Sequence, residues 1–154
     1  MKFQKAQAIV EFAFVLPLFL LLMVGLFYFG FAFADYLTVS NTTRSIAHEA
    51  SIVQNDAKVH QFVEQETKDL KLISDIFVWN PKDTKYLNVV YNIYTANDGT
   101  QRKDVVVTSH LDYSSSSYFG RIMRNFSKIS FSRKGFDIVY TMYCPDSASS
   151  SGGN

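Results

Sequence analysis

The hydrophobic pattern divides the chain into two unequal parts. From Phe12 to Ala34 no residue carries a charge, and the apolar run already begins at Ala8–Val10. At about 1.5 Å per residue, a helix over this run is long enough to span a hydrocarbon core about 30 Å thick. Because lipid offers the backbone no hydrogen-bond partners, a helix is the conformation expected there. The pattern predicts a transmembrane helix over residues 7–34.

The charges at the two ends of this run predict its orientation. Lys2 and Lys5 precede it, and Asp35 follows it directly. The positive-inside rule therefore places the N-terminus in the cytoplasm and residues 35–154 on the other side of the cell membrane. A cleavable secretory signal is the alternative, because Ala32–Ala34 resembles its cleavage site, but the apolar run exceeds the roughly 7–15 residues of such signals.

Beyond Asp35 the hydrophobic spacing remains helical. Apolar or small residues recur about every 3.5 positions, which is typical of one face of an amphipathic helix. They are Val39, Thr43, Ile46, Ala50, Val53 and Ala57. We expect the transmembrane helix to continue into this segment. Asn55-Asp56 predicts a break, with Asp56 as the N-cap of a second helix over residues 57–71.

From Ile73 onward the pattern changes to alternation, which predicts half-buried strands. The alternating residues are Ile76, Val78, Leu87, Val89, Tyr91, Ile93, Val105 and Val107. Asn97-Asp98-Gly99 is a strong turn signal for a hairpin between two of these runs.

A second hairpin is predicted around Arg133-Lys134-Gly135, joining Ile129–Ser132 to Phe136–Tyr143. Helical spacing over Tyr118–Phe126 predicts a short helix between the two hairpins. The fold class is therefore α+β: a long N-terminal transmembrane and amphipathic helix, then a small antiparallel β-sheet domain with one or two helices packed on it. This domain covers residues 35–144, and the polar residues 145–154 predict a disordered tail.

Composition and charge narrow the chemistry. Eight of the fourteen Phe lie in the first 34 residues, so the mean hydropathy of zero describes neither part of the chain. All but two of the 15 basic and all but one of the 14 acidic residues lie beyond residue 34, so that part carries 13 of each. This balance argues against nucleic acid as a partner, since phosphate binding requires clustered basic residues.

No residue pattern predicts an enzyme. His48, His60 and His110 lack metal-ligand spacing, and no glycine-rich phosphate loop occurs. We therefore expect no catalytic residues, no metal, no cofactor and no small-molecule substrate. Cys144, the single cysteine, excludes an intramolecular disulfide. It is interpreted as a small buried residue at the end of a strand, with an intermolecular disulfide as the alternative.

Glu11 is the one charge in the apolar N-terminal region. A carboxylate inside a bilayer costs roughly 2.5–3.5 kcal/mol on insertion scales. Glu11 could extend into the headgroup layer near Lys5. Alternatively, cleavage between Ala6 and Gln7 would create an α-ammonium group one helical turn away, or on a neighbouring chain, to neutralise it. Pro17, inside the span, removes one helix hydrogen bond and predicts a kink.

These N-terminal residues resemble a known family. Gln7–Phe12, Leu16-Pro17-Leu18 and Phe29-Gly30-Phe31 are similar to the N-terminus of TadE-like pseudopilins of the Tad (Flp, type IVc) pilus system, and Asn41–Ala47 is a weaker match. The resemblance covers about 45 residues. It implies a structural subunit whose leader, residues 1–6, is removed by a prepilin-type peptidase at Ala6-Gln7. The family usually has Gly where this chain has Ala6.

The expected function is therefore that of a minor pseudopilin that takes part in pilus assembly. The resemblance implies that its partners are the membrane, other pilin-like subunits, the Tad assembly machinery and the peptidase. The alternative is a single-pass membrane protein whose outer domain is a binding or sensing module. In that case Glu11 would be incidental.

Overall fold

The computed structural model describes residues 2–97, 99–131 and 135–145, with side chains from Ile9 onward apart from those of 126–131. It contains three helices and four strands in these residues. The helices are α1 (Lys2–Val53), α2 (Asp56–Thr67) and α3 (Tyr118–Phe131). The strands are β1 (Phe77–Val78), β2 (Leu87–Thr95), β3 (Gln101–Tyr113) and β4 (Gly135–Cys144). The α+β class is confirmed.

Helix α1 is one uninterrupted element of 52 residues, about 78 Å long at 1.5 Å per residue. Gln54 ends it by adopting a left-handed conformation, with φ of 47°. The Gln54 N–H donates to the carbonyl of Ala50 at 3.1 Å, the hydrogen bond of an αL helix end. The predicted continuation of the apolar helix into the residues that follow Asp35 is therefore confirmed.

The sheet is antiparallel and is built around β3. Strand β4 pairs along one edge of β3, while β2 and the short β1 share the other edge. The predicted hairpin at Asn97-Asp98-Gly99 joins β2 to β3, with Thr95 opposite Gln101. Gly99 has a φ of 79°, and its N–H donates to the carbonyl of Ala96. A positive φ of this kind favours glycine at this position.

The second half of α1 packs on this sheet. Ile46 and Ala50 are fully buried in one cluster with Val105 and Val107 of the sheet. Val39 is fully buried in a second cluster, with Leu111 and Ile138. The predicted amphipathic stripe is correct as far as Ala50. Beyond it, Val53 is only half-buried and Ala57 is exposed, because α1 ends and the chain turns into α2.

Three hydroxyl groups add directional contacts between α1 and the strands. Thr43 Oγ1 donates to Ser109 Oγ of β3 at 2.7 Å, and both residues are buried. Ser40 Oγ and the Tyr140 hydroxyl lie 2.8 Å apart. Tyr91 OH donates to the carbonyl of Ala50 at 3.2 Å. Buried polar groups paired in this way fix the register of the helix on the sheet.

Asp35 joins α1 to the segment that follows α2. Its side chain is completely buried. The carboxylate accepts the backbone N–H of Ile73 at 2.6 Å and that of Ser74 at 2.9 Å. The Ser74 hydroxyl donates to the same carboxylate. A buried carboxylate requires such donors, because desolvating an unpaired charge is costly.

The predicted start and end of the second helix are both wrong. The N-cap of α2 is Asn55 rather than Asp56: its side chain accepts the Lys58 N–H at 3.2 Å, and the helix ends at Thr67 rather than at residue 71. An Asn-Asp pair offers two capping side chains, and spacing alone does not choose between them.

The predicted strand Ile129–Ser132 is also wrong, because α3 is helical up to Phe131. Ile-Ser-Phe alternates over too few residues to distinguish a strand from a helix. Phe136–Tyr143 is confirmed as strand within β4, which pairs with β3. Arg133 and Lys134 of the predicted turn, and residues 146–154 of the predicted tail, lie outside the described residues.

A polar cluster links β3, β4 and the loop before β2. His110 Nδ1 lies 2.5 Å from Asp137 Oδ1, and His110 Nε2 lies 3.1 Å from Asp112 Oδ1. Lys85 Nζ forms an ion pair with the other oxygen of Asp112 at 2.5 Å. Partial burial would raise the pKa of Asp112, but the hydrogen bonds from Lys85 and His110 outweigh it and lower the pKa from its ordinary 3.8.

Replacing Asp35 should destabilise the whole domain. In Asp35→Ala the N–H groups of Ile73 and Ser74 lose their acceptor in a buried position, so we expect unfolding free energy to fall by about 2–3 kcal/mol. Urea unfolding of the full chain in detergent, followed by Trp79 fluorescence, measures this. The exposed Asp69→Ala is the matched control and should change little. Equal loss in both variants would contradict the anchoring role of Asp35.

The Asp112 cluster should make stability depend on pH in the acid range. Because the folded-state pKa of Asp112 is lowered, its contribution is complete above about pH 4 and is lost as pH falls through that pKa. We expect Asp112→Asn to cost about 1 kcal/mol at pH 7, and the gap from wild type to close in acid. Urea titrations at pH 7 and at an acid pH below the folded-state pKa of Asp112, with Asp69→Asn as control, measure this. A gap that stays constant with pH would refute it.

Candidate assembly site on the N-terminal helix

All four residues singled out in the N-terminal sequence lie on α1. The backbone of Ala6 and Gln7 is helical, as is that of Glu11 one turn later and of Pro17 further along. Gln7 and Glu11 are four residues apart, which corresponds to a rise of about 6 Å on one side of a helix. The helix therefore presents a new amino group at Gln7, if one is formed, next to the Glu11 carboxylate.

The surroundings of Glu11 are apolar and exposed. Phe12 is 63% exposed and Phe14 is 78% exposed, and large hydrophobic side chains remain exposed as far as Phe33. Glu11 is itself exposed on the same helix surface. Among the described residues this is one helix long and apolar enough to cross a membrane, and no part of its most apolar window is buried by the domain. Exposed apolar surface of this extent indicates contact with lipid or with other proteins.

Pro17 lies inside the helix without ending it. It has no N–H to donate, so the carbonyl of Ala13 loses its usual i+4 partner. Such a position bends easily. The predicted kink at Pro17 stays a prediction.

Within residues 9–97, 99–125 and 135–145, no group of three or more His, Cys, Asp or Glu side chains is arranged so that it could hold a metal ion. A cleft between α2 and the segment before β2 is lined by Asp56, His60, Glu64 and Lys82, among others, but it encloses only about 220 Å³. Ligand pockets are usually about 300–1,000 Å³. This cleft does not have the size of a typical small-molecule site.

Cys144 is the last residue of β4 and is 1% exposed, as its interpretation as a buried residue predicts. Burial raises the pKa of its thiol. A buried thiol with a raised pKa is a poor nucleophile, because the thiolate is the reactive form. The next residue, Pro145, is held in place by its carbonyl, which accepts a hydrogen bond from Gln54 Nε2 at 2.7 Å.

Sequence reasoning missed the two polar groupings of the domain. Asp35 was interpreted only as the flank of the apolar run, and its partners Ile73 and Ser74 lie 38 and 39 residues away. His110 and Asp112 are two residues apart on a strand, so they share one face of the sheet. That spacing was an available signal, but Asp137 joins them only through the register of β3 with β4.

Comparison with known proteins places the family signal on α1. Residues 6–48 match the family model described as TadE-like protein. The match begins at Ala6 and contains Gln7, Glu11 and Pro17, and it ends among the residues that pack on the sheet. No curated protein and no solved structure matches the chain. Over residues 6–48, therefore, the chain is similar to TadE-like proteins, as its N-terminal residues indicate.

Proposed function

We propose that this protein is a minor pseudopilin, a membrane-anchored structural subunit that takes part in assembly of a Tad (type IVc, Flp) pilus. The proposal rests chiefly on one observation. Glu11 lies on an exposed apolar helix, five residues after Ala6, inside the TadE-like segment. The exposed apolar part of α1 before Asp35 forms a stem, and the helix continues from it into the folded domain, which forms the head.

The stem is the membrane anchor. The side chains from Ile9 to Phe33 are mostly exposed and apolar, and burial begins abruptly at Asp35. This segment rises about 36 Å, so it spans the hydrocarbon core of a bilayer, about 30 Å thick, and ends within the headgroup regions that bring the total to about 40–45 Å. With Lys2 and Lys5 on the cytoplasmic side, the domain from residue 35 lies outside the cytoplasm.

Maturation prepares the stem for assembly. A prepilin-type peptidase removes residues 1–6 and leaves Gln7 with a free α-ammonium group. Glu11 then neutralises this group, either on its own chain or on a neighbouring stem. Pairing with an α-ammonium group lowers the cost of a carboxylate in an apolar environment, which favours stacked stems.

The outer domain supports a structural role rather than catalysis. Its surface charge is balanced, with 13 basic and 13 acidic residues beyond residue 34. Its cleft beside α2 is smaller than a typical ligand pocket. A binding or sensing module that never enters a filament is the competing function, and the variants below distinguish the two.

Processing at Ala6-Gln7 is directly measurable. In cells that carry the peptidase, we expect the membrane-extracted protein to lack residues 1–6 by intact-mass spectrometry. Ala6→Gly should be processed at least as completely, because the residue before the cleaved bond must be small. Ala6→Trp should leave nearly all of the protein unprocessed.

The alternatives give different masses. Loss of residues 1–34 would identify a secretory signal and overturn the pseudopilin assignment. A full-length chain for both wild type and Ala6→Gly would show that no prepilin-type processing occurs.

Glu11 should matter for assembly and not for membrane insertion. In Glu11→Gln the neutral amide cannot pair with the α-ammonium group, and we expect about ten-fold less protein in purified pili, equivalent to about 1.4 kcal/mol. The amount in the membrane should be unchanged, since an uncharged stem inserts at least as easily. Immunoblots of sheared pili and of membranes measure both quantities.

Glu66→Gln is the matched control, because Glu66 is an exposed carboxylate on α2 in the outer domain. It should leave incorporation at the wild-type level. Equal pilus incorporation of Glu11→Gln and wild type would instead favour the binding module.

A further inference from the structure

Helix α3 begins beside the apolar stem rather than on the far side of the domain. The rings of Tyr28 on α1 and Phe119 on α3 are stacked, with centroids 4.3 Å apart and planes inclined by 13°. Tyr28 precedes Asp35 by seven residues, or about 10 Å along the helix axis. The first turn of α3 therefore lies alongside a part of α1 that the proposed function places in the bilayer.

The start of α3 is fixed to the domain. A Cβ added to Gly120 would lie 2.5 Å from the carbonyl oxygen of Ser114, so α3 approaches this loop as closely as a glycine permits. Ser117 Oγ accepts the Gly120 N–H at 3.3 Å, which caps the helix. The Ser114 N–H donates to the carbonyl of Ile76 beside β1 at 2.7 Å. Since the loop is tied to the sheet, the height of α3 along the stem is set by the fold.

Helix α3 has one apolar and one basic side. By helical spacing, Phe119, Ile122 and Met123 share one side, and Arg121 and Arg124 share the other. Within the domain this apolar side is only partly covered: Ile122 is 44% exposed and Met123 is 39% exposed. Tyr118, at the start of the helix, is 70% exposed.

The apolar side of α3 borders an open cleft against the stem. The cleft has a volume of about 340 Å³, and its lining includes Gly25, Phe29 and Ala32 of α1 together with Phe119 and Met123 of α3. A Cβ added to Gly25 would meet no atom within 4 Å. The cleft thus continues the exposed apolar surface of the stem onto the domain.

We propose that α3 is an interfacial helix that lies in the headgroup–acyl boundary of the outer leaflet and holds the domain against the membrane. Lipid acyl chains cover the apolar side and fill the cleft, while the basic side, led by the exposed Arg121, contacts lipid phosphates. Tyr28 and Tyr118 occupy the layer in which tyrosine is enriched at membrane surfaces. This proposal rests on the proposed membrane anchoring of α1.

A bilayer fits this surface better than a second protein copy does. The apolar side of α3 is continuous with the apolar surface of the stem around Tyr28. A bilayer that covers this part of the stem therefore also covers the apolar side of α3. The basic side of α3 complements anionic lipid headgroups.

Spin labels on the full chain in phosphatidylcholine–phosphatidylglycerol vesicles test the proposal. Single cysteines are introduced at Ile122, at the exposed stem residue Phe31, and at Ile93, which is 69% exposed near the β2–β3 turn. The unsubstituted chain should take up no label, because Cys144 is buried. We expect the ratio of oxygen to nickel-complex collisions to be at least about three-fold higher at Ile122→Cys than at Ile93→Cys, since oxygen concentrates in the apolar phase.

Each other outcome overturns a distinct claim. A water-like ratio at Ile122→Cys with a lipid-like ratio at Phe31→Cys would refute the interfacial helix and leave the anchor intact. Water-like ratios at both positions would refute the anchor itself. A label at Ile122 shielded from both agents would assign the surface to a protein partner. If Ile122→Cys loses its native circular dichroism, Tyr118→Cys on the same helix replaces it.

Discussion

The buried carboxylate of Asp35 is the contact on which the arrangement of stem and domain depends. It is the first fully buried residue of α1 after the exposed apolar segment. It binds the backbone of Ile73 and Ser74, so the chain leaving α2 returns to α1 at this level. Strand β1 follows this segment directly. The carbonyl of Ile76, just before β1, accepts a hydrogen bond from the Ser114 N–H at the end of β3. Removing a partner from a buried charge costs far more than removing a partner from an exposed charge. The segment at Ile73 and Ser74 is therefore held at a fixed position along α1.

This junction explains why one helix can serve two environments. Above Asp35, the α1 residues Val39, Thr43, Ile46 and Ala50 are buried by the sheet. Below it, nearly every large apolar side chain is exposed. The change takes place within about one helical turn, and it needs no break in the backbone. A continuous helix transmits the position of the head rigidly to the stem, which agrees with the proposed function, in which stems pack at a defined height among others.

Most of this arrangement is predictable from the sequence, because the local spacing of hydrophobic residues determines it. The uncharged run, the helical stripe up to Ala50 and the alternation of β2 and β3 each repeat over many residues. The errors fall where the signal is short: the Asn55-Asp56 cap and the three residues at the end of α3. The Asp35–Ser74 and His110–Asp137 contacts join residues far apart in the chain, and they follow only from the completed fold. The candidate site on the stem is predictable from the sequence because its residues are close together in the chain: Ala6, Gln7 and Glu11 lie within one and a half helical turns.

The family match divides the molecule into a part that is similar to other proteins and a part that lies outside the match. Residues 6–48 cover the stem and the first turns that pack on the sheet, while β1 to β4 and α3 lie outside the match. In the proposed function, chemistry common to many subunits therefore lies on α1. What distinguishes this subunit must lie in the domain.

Helix α3 lies in the part outside the match, and in the proposed function an interfacial α3 adds a condition on assembly of the filament. A stem that leaves the bilayer exchanges lipid contacts for contacts with other stems, so its apolar area stays covered throughout. An interfacial α3 has no such replacement on its own chain, because Ile122 and Met123 remain exposed in the folded domain. A neighbouring subunit must then cover α3 at the moment the stem is extracted. Entry into the filament would thus be coupled to docking of the head as well as to pairing of Glu11, and neither contact alone would be sufficient.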